Sequence, residues 1–226
     1  MKTLFRQPLR QALPLLALGL ITAASSVSCQ TTGEPQISLF LNPGLEGWEF
    51  DHENDVDPSE VWRVEDGVLI SRGTPNGVIR TPGDFGNGTL TLDWRWAPET
   101  EPTNSGLLLF SSTPREVGVW PKCLEVQLRH GNAGDFIFLG ETIEVENMEE
   151  RHEGRRVART GPEDIEKTPG EWNKMVVIMN DGAVTVDING QRVNEGTNAS
   201  ATSGAICLQS EGSEIHFRNI TFTPLP

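Results

Sequence analysis

From residue 37 to the C-terminus the chain sustains no helical period, and short alternating or apolar runs closed by turn dipeptides recur from end to end. Such runs can bury their apolar rows only by setting one antiparallel sheet against another, so the expected fold is all-β, a two-sheet sandwich. Residues 61–64 and 68–71 flank Glu65-Asp66-Gly67 as a hairpin. In residues 89–96, Leu90, Leu92, Trp94 and Trp96 share the core parity, while Thr91, Asp93 and Arg95 share the open one. Strand signals at 174–180, 184–188 and 192–193 are separated by Asp181-Gly182 and Asn189-Gly190. In the last strand Ile215 and Phe217 have one parity, Ile220 and Phe222 the other, which predicts a bulge near Arg218-Asn219.

One strand carries an unusual polar row. In residues 123–129, Leu124, Val126 and Leu128 point one way, and Cys123, Glu125, Gln127 and Arg129 the other. The following His130-Gly-Asn-Ala-Gly-Asp135 leaves the strand through two glycines and two turn-favouring side chains, and is expected to arch back as part of a site wall. On a curved sheet, Glu125 and Gln127 would line a concave polar face. The two remaining thiols of a processed chain, Cys123 and Cys207, both sit on non-core parity; a disulfide between them requires adjacent strands in matched register.

The first 28 residues read as an export signal: Lys2, Arg6 and Arg10 precede an apolar run over 12–24, and small residues lead into Cys29. Ser26-Val27-Ser28-Cys29 is similar to a bacterial lipoprotein box, with Ser26 where Leu is usual, so lipidation of Cys29 competes with ordinary cleavage after Ser28. Residues 29–36 would be a tether and 37–226 a single β-sandwich domain. The expected location is the periplasm or cell envelope as a lipoprotein, membrane-attached through Cys29, or alternatively the secreted fraction. Without the signal the chain keeps 15 basic against 32 acidic residues, a net charge of −17, which argues against nucleic acid as a partner and does not repel a neutral sugar. Oligomeric state is left open.

Several chemistries are excluded by motif. There is no G-x-S-x-G elbow, no H-E-x-x-H, no phosphate loop and no dinucleotide fingerprint, and the four histidines lack zinc-ligand spacing. The acidic loop at 51–57 lacks the glycine and the twelfth-position glutamate of an EF-hand, so a solvated loop is expected there and calcium is the alternative. Residues 141–170 lose periodicity and gain charge, the pattern of a long rim excursion that often carries function. A glycosidase normally flanks the scissile bond with two carboxylates, yet Glu125 is the only acid on the polar row.

Trp62-Arg-Val-Glu-Asp-Gly-Val-Leu-Ile70, Leu92-Asp-Trp-Arg95, Asn104-Ser-Gly106, Glu125-Val-Gln127, Gly131-Asn-Ala-Gly-Asp-Phe136, Gly170-Glu-Trp-Asn173, Asn189-Gly190, Gly204-Ala-Ile-Cys-Leu-Gln-Ser-Glu-Gly212 and Phe217-Arg-Asn-Ile220 occur in this order. Together they resemble the 3-keto-disaccharide hydrolase domain family. The resemblance implies a concanavalin A-like jelly-roll sandwich and a glycoside substrate oxidised to a ketone at C3. Such a ketone acidifies the C2 hydrogen, so a base can remove it, the glycosidic oxygen can leave by elimination, and water can add to the 2-hydroxyglycal. That route needs a base, an enolate stabiliser and an acid, not a nucleophilic carboxylate.

The expected roles follow from that chemistry. Glu125 is the base or acid, Arg95 the electrostatic stabiliser of the enolate, and Asn104, Gln127 and Gln209 bind hydroxyls. His130, Asp135 and Glu211 are rim candidates for the second proton transfer, with Asp135 also placed among the substrate contacts. Some relatives carry Asp-His where this chain has Ser210-Glu211. Trp120, in Gly118-Val-Trp-Pro121, is the one tryptophan whose loop setting suits stacking on a sugar, with an ordinary packed loop aromatic as the other reading. No metal site is expected, with calcium or another divalent cation polarising the ketone as the alternative. A non-catalytic carbohydrate-binding module and a surface interaction protein are the rival functions.

Overall fold

A computed structural model describes residues 35–40 and 45–226; the export segment, Cys29 and nearly all of the tether lie outside the described residues. In chain order the strands are β1 (Ile37–Ser38), β2 (Glu49–His52), β3 (Trp62–Glu65), β4 (Val68–Ser71), β5 (Gly77–Arg80), β6 (Gly88–Trp96), β7 (Gly106–Ser111) and β8 (Cys123–Gln127). They continue with β9 (Phe136–Leu139), β10 (His152–Glu153), β11 (Arg156–Val157), β12 (Asn173–Asn180), β13 (Ala183–Ile188), β14 (Gln191–Gly196), β15 (Ala205–Ser210) and β16 (Ile215–Pro224). One sheet runs β14-β13-β12-β6-β16-β4-β3, with β1 on β16, and the other runs β10-β11-β9-β8-β7-β15-β5-β2. All pairings are antiparallel, the two-sheet jelly roll expected of the sequence.

Parity decides what enters the core. Leu90, Leu92, Trp94 and Trp96 of β6 meet Leu124, Val126 and Leu128 from the β8 side, all essentially inaccessible to water. At roughly 25 cal/mol per Å² of apolar surface, these rows dominate the favourable side of folding. The 65–68 turn has Asp66 and Gly67 at φ 48° and 74°, the primed geometry that matches strand twist. The predicted bulge lies between Arg218 and Thr221, where the register with β6 shifts and Asn219 adopts φ 52°. There Arg218 Nε and Asn219 Nδ2 both donate to Asp93 Oδ2, at 3.1 and 2.7 Å.

Strand order answers one open question and corrects one expectation. Cys123 on β8 and Cys207 on β15 flank β7, where Leu108 is opposite Cys207 and Glu125, and both thiols are free. Two strand spacings, about 9–10 Å, exceed disulfide reach. Arg95 lies on β6, in the sheet opposite Glu125, on its outer face. There it donates to His216 Nδ1 at 3.3 Å and to the Gly170 carbonyl at 3.3 Å, and it stacks on one side of the Trp172 ring, with Arg218 also over that ring.

The 141–170 excursion does have local structure. It holds a one-turn helix, α1 (Met148–Arg151), and the short β10–β11 ribbon, which adds to the edge of the β9 sheet. The acidic loop is tied down at its start, where Arg115 pairs with Asp51 and donates to the His52 carbonyl at 2.6 Å. Buried His52 accepts a hydrogen bond from Trp62 Nε1 at 3.1 Å, linking the edges of the two sheets, and burial pushes its pKa down.

Candidate functional site

The outer face of the β8 sheet contains a cleft of about 320 Å³ lined by Asn104, Glu125, Gln127, Gln209 and Glu211, with Val117, Gly118, Trp120, Ile137, Leu139 and Arg155 completing it. Six side chains singled out from sequence, Glu125, Gln127, Asn104, Gln209, Glu211 and Trp120, are brought together here. They come from β8, the entry to β7, β15 and its exit, and the 117–120 turn. Their convergence follows from register: Gln127 pairs with Gly106 across β7–β8, and Asn104 forms a bridge with Glu211 just beyond β7 and β15.

Gly106 is the floor. A methyl group there would strike Glu125 Oε1 and stand 2.7 Å from Gln209 Oε1. Both of those oxygens are buried with no hydrogen-bond partner, a setting that disfavours a charge on Glu125. Glu125 is 3% exposed, and burial first, then the Glu211 carboxylate, push its pKa up to about 8 against the lowering effect of the Gln209 amide. The Glu211 pKa is also raised, chiefly by burial, while a hydrogen bond with Asn104 opposes the shift. Two neighbouring carboxyls are thus both pushed toward the neutral form, and they differ in burial, the kind of difference in surroundings that can separate an acid from a base.

Gln127 is a fixed donor. Its Oε1 accepts from the backbone N–H groups of Leu128 and Arg129 at 2.9 and 2.8 Å, which settles the amide orientation and leaves Nε2 uncommitted. Ser105 steadies the same end of the sheet: its Oγ donates to the Gln209 carbonyl at 2.9 Å, and its carbonyl accepts from Leu128 N–H at 2.9 Å.

The structure moves three expected site residues out of the cleft. Besides Arg95, His130 lies on the loop after β8, its Nδ1 3.1 Å from Glu166 Oε2. Glu166 Oε1 also accepts from the backbone N–H groups of Gly131 and Ala133, at 2.9 and 3.2 Å, so this loop is pinned to the excursion and does not form the cleft wall. The wall is supplied by the 117–120 turn, in which Val117 and Trp120 exchange two backbone hydrogen bonds of 3.1 Å. Asp135 is fully buried and serves structure, pairing with Arg156 and accepting from Arg159 N–H at 2.7 Å. Removing its charge leaves Arg156 without its counter-ion. Asp135→Asn is therefore expected to cost about 2 kcal/mol, roughly 5 °C in a thermal melt, and an unchanged melting curve would contradict this role.

Sequence reasoning missed Arg155, Gly106 as floor and Glu166. Arg155 sits in the turn between β10 and β11, and the charge-rich excursion was its only signal. Among the described residues no group of three or more His, Cys, Asp or Glu is placed to hold a metal ion.

The described chain is thus a two-sheet jelly-roll domain with a cleft of amides and carboxyls on one sheet face. Residues 35–223 match the model of the 3-keto-alpha-glucoside-1,2-lyase-like domain, and the chain belongs to that family. Among solved structures, the chain is similar to a presumed glycosyl hydrolase from Parabacteroides distasonis, at 23% identity over 84% of this chain and 100% of that one, TM-score 0.60. It is similar in fold to a carbohydrate-binding module from Bacillus subtilis, at 13% identity over 78% and 95%, TM-score 0.53. A third likeness is to LamAcat from Zobellia galactanivorans, at 14% identity over 85% and 93%, TM-score 0.53. No curated protein matches the chain significantly.

Proposed function

We propose that the protein cleaves 3-keto-glycosides by elimination and hydration. The observation that carries this reading is the Glu125–Glu211 pair, two carboxyls of unequal burial in one amide-lined cleft. Glu211, the less buried of the two, is the base that takes the C2 proton. Its electrons form the C1–C2 double bond as the C1–oxygen bond breaks, and protonated Glu125 donates to the departing glycosidic oxygen. Gln127 Nε2, preoriented by the two N–H groups on its Oε1, donates to the C3 oxygen as charge develops there, in the place once expected of Arg95. Water then adds to the glycal: ionised Glu125 takes a proton from it, its oxygen bonds C1, and Glu211 returns a proton to C2. The net change is hydrolysis.

Export to the cell envelope, with Cys29 as a lipid anchor, is part of the same proposal. Palmitate labelling that vanishes in Cys29→Ala tests it, and labelling that persists would refute it.

Paired 3-keto and unoxidised glucosides, followed by mass detection of glycal and free sugar, test the chemistry. Cleavage confined to the 3-keto compound is expected, with kcat/KM falling above about pH 8 as Glu125 loses its proton. A rate that climbs through pH 8 would make Glu125 the base instead. Saturable binding of both compounds without turnover would favour a carbohydrate-binding module.

A further inference from the structure

The residues that line the cleft give it two unlike sides. From β8 toward β7 and β15 stand Gly106 and Gln209, with Asn104 and Glu211 at the end of the same strands. The side chains that line the cleft on that side, Asn104, Gln209 and Glu211, all offer a hydrogen bond, whereas Leu108, opposite Glu125 on β7, is fully buried and does not line it. In the other direction, on β9, Ile137 lies directly opposite Glu125 and Leu139 opposite Cys123. The 117–120 turn sets Val117 and Trp120 beside them. These side chains pack on a small sealed apolar cluster of Val78, Leu108, Cys123, Leu139 and Cys207, so the shelf is the surface of packed structure. Glu125 stands on the boundary between the two sides.

We infer that the side under Trp120 and Ile137 is the subsite for the leaving group, and that it takes an aromatic aglycone in preference to a second sugar. The inference rests on the reading of Glu125 as proton donor to the glycosidic oxygen, which places the sugar among the amides and the leaving group across the boundary. A second sugar would bring hydroxyls that Ile137, Leu139 and Val117 cannot partner, and a buried hydroxyl without a hydrogen bond is costly. An aromatic ring has no such requirement: it can lie against Trp120 and the aliphatic shelf, while the Arg155 guanidinium at the rim offers a cation for its face.

The test uses two 3-keto-glucosides in which a primary alcohol departs, one carrying 2-phenylethanol and the other glucose joined through its O6, so that intrinsic leaving ability is matched. The expected result is kcat/KM about tenfold higher for the phenylethyl compound, the gain typical of one aromatic contact. In Ile137→Ser, and separately in Trp120→Leu, that ratio should fall toward one. Equal rates, a preference for the disaccharide, or a ratio unmoved in both folded variants would overturn the inference. If neither compound is cleaved, the catalytic reading fails on its own, and calorimetric affinities for the same two compounds decide the subsite. A tenfold preference lost in the variants supports it, and equal affinities refute it.

Discussion

Glu125→Gln is expected to abolish aglycone release from 3-keto-glucosides and, in the same protein, to raise heat stability at alkaline pH. The two effects share a cause. The Glu125 carboxyl is buried over Gly106 with a pKa of about 8, far above its unfolded value, so its contribution to stability is present below about pH 4.5 and drains away as the pH rises to about 8. The loss is on the order of 5 kcal/mol, and stability is level above that window. Glutamine keeps the shape, cannot ionise, and can donate to the orphan Gln209 Oε1. At pH 9 the variant should therefore melt on the order of 10 °C above the wild type, while near pH 4.5 the two should nearly coincide. Thermal melts across pH 4 to 9 measure this. Parallel wild-type and variant curves would show that Glu125 is not a buried, proton-holding carboxyl, and retained turnover in the folded variant would remove it from the mechanism.

Gly106→Ala should damage the fold and the candidate site together. β7 is held between β8 and β15, so the backbone under Gly106 cannot retreat, and the new methyl meets Glu125 and Gln209 together. Overpacking of this kind costs about 1–3 kcal/mol, a drop of roughly 5 °C. The larger effect falls on chemistry: the carboxyl swings off its seat, and displacement by about 1 Å can lower rate a hundredfold. Kinetics on the 3-keto substrate and a thermal melt read the two losses separately. A variant with wild-type kcat would show that the Glu125 seat over Gly106 is not needed.

Much of the sandwich was legible because alternation is a local property. The parity of Leu90, Leu92, Trp94 and Trp96 predicted their burial, and the parity change between Phe217 and Ile220 located the bulge. Glu125, Gln127 and Gln209 were likewise placed on the polar face of their strands, where the structure finds them. Asp135 misled for a related reason. A polar side chain after two glycines reads as solvent-facing loop, whereas Arg156 and the Arg159 N–H, both contributed from more than twenty residues away, bury it as an ion pair.

Sequence alone determined which face of each strand is polar, because the side-chain period of two is set by the backbone of that strand. Only tertiary structure decided which polar faces meet. Arg95 and Glu125 share open parity, but β6 and β8 belong to opposite sheets, so their outer faces point away from each other across the whole core. Arg155 reaches the cleft from an excursion with no periodicity, because the β10–β11 ribbon pairs with β9 at the sheet edge. Strand order and edge pairing are long-range choices made by the packing of the whole domain, and they turned one polar row into a two-sided cleft.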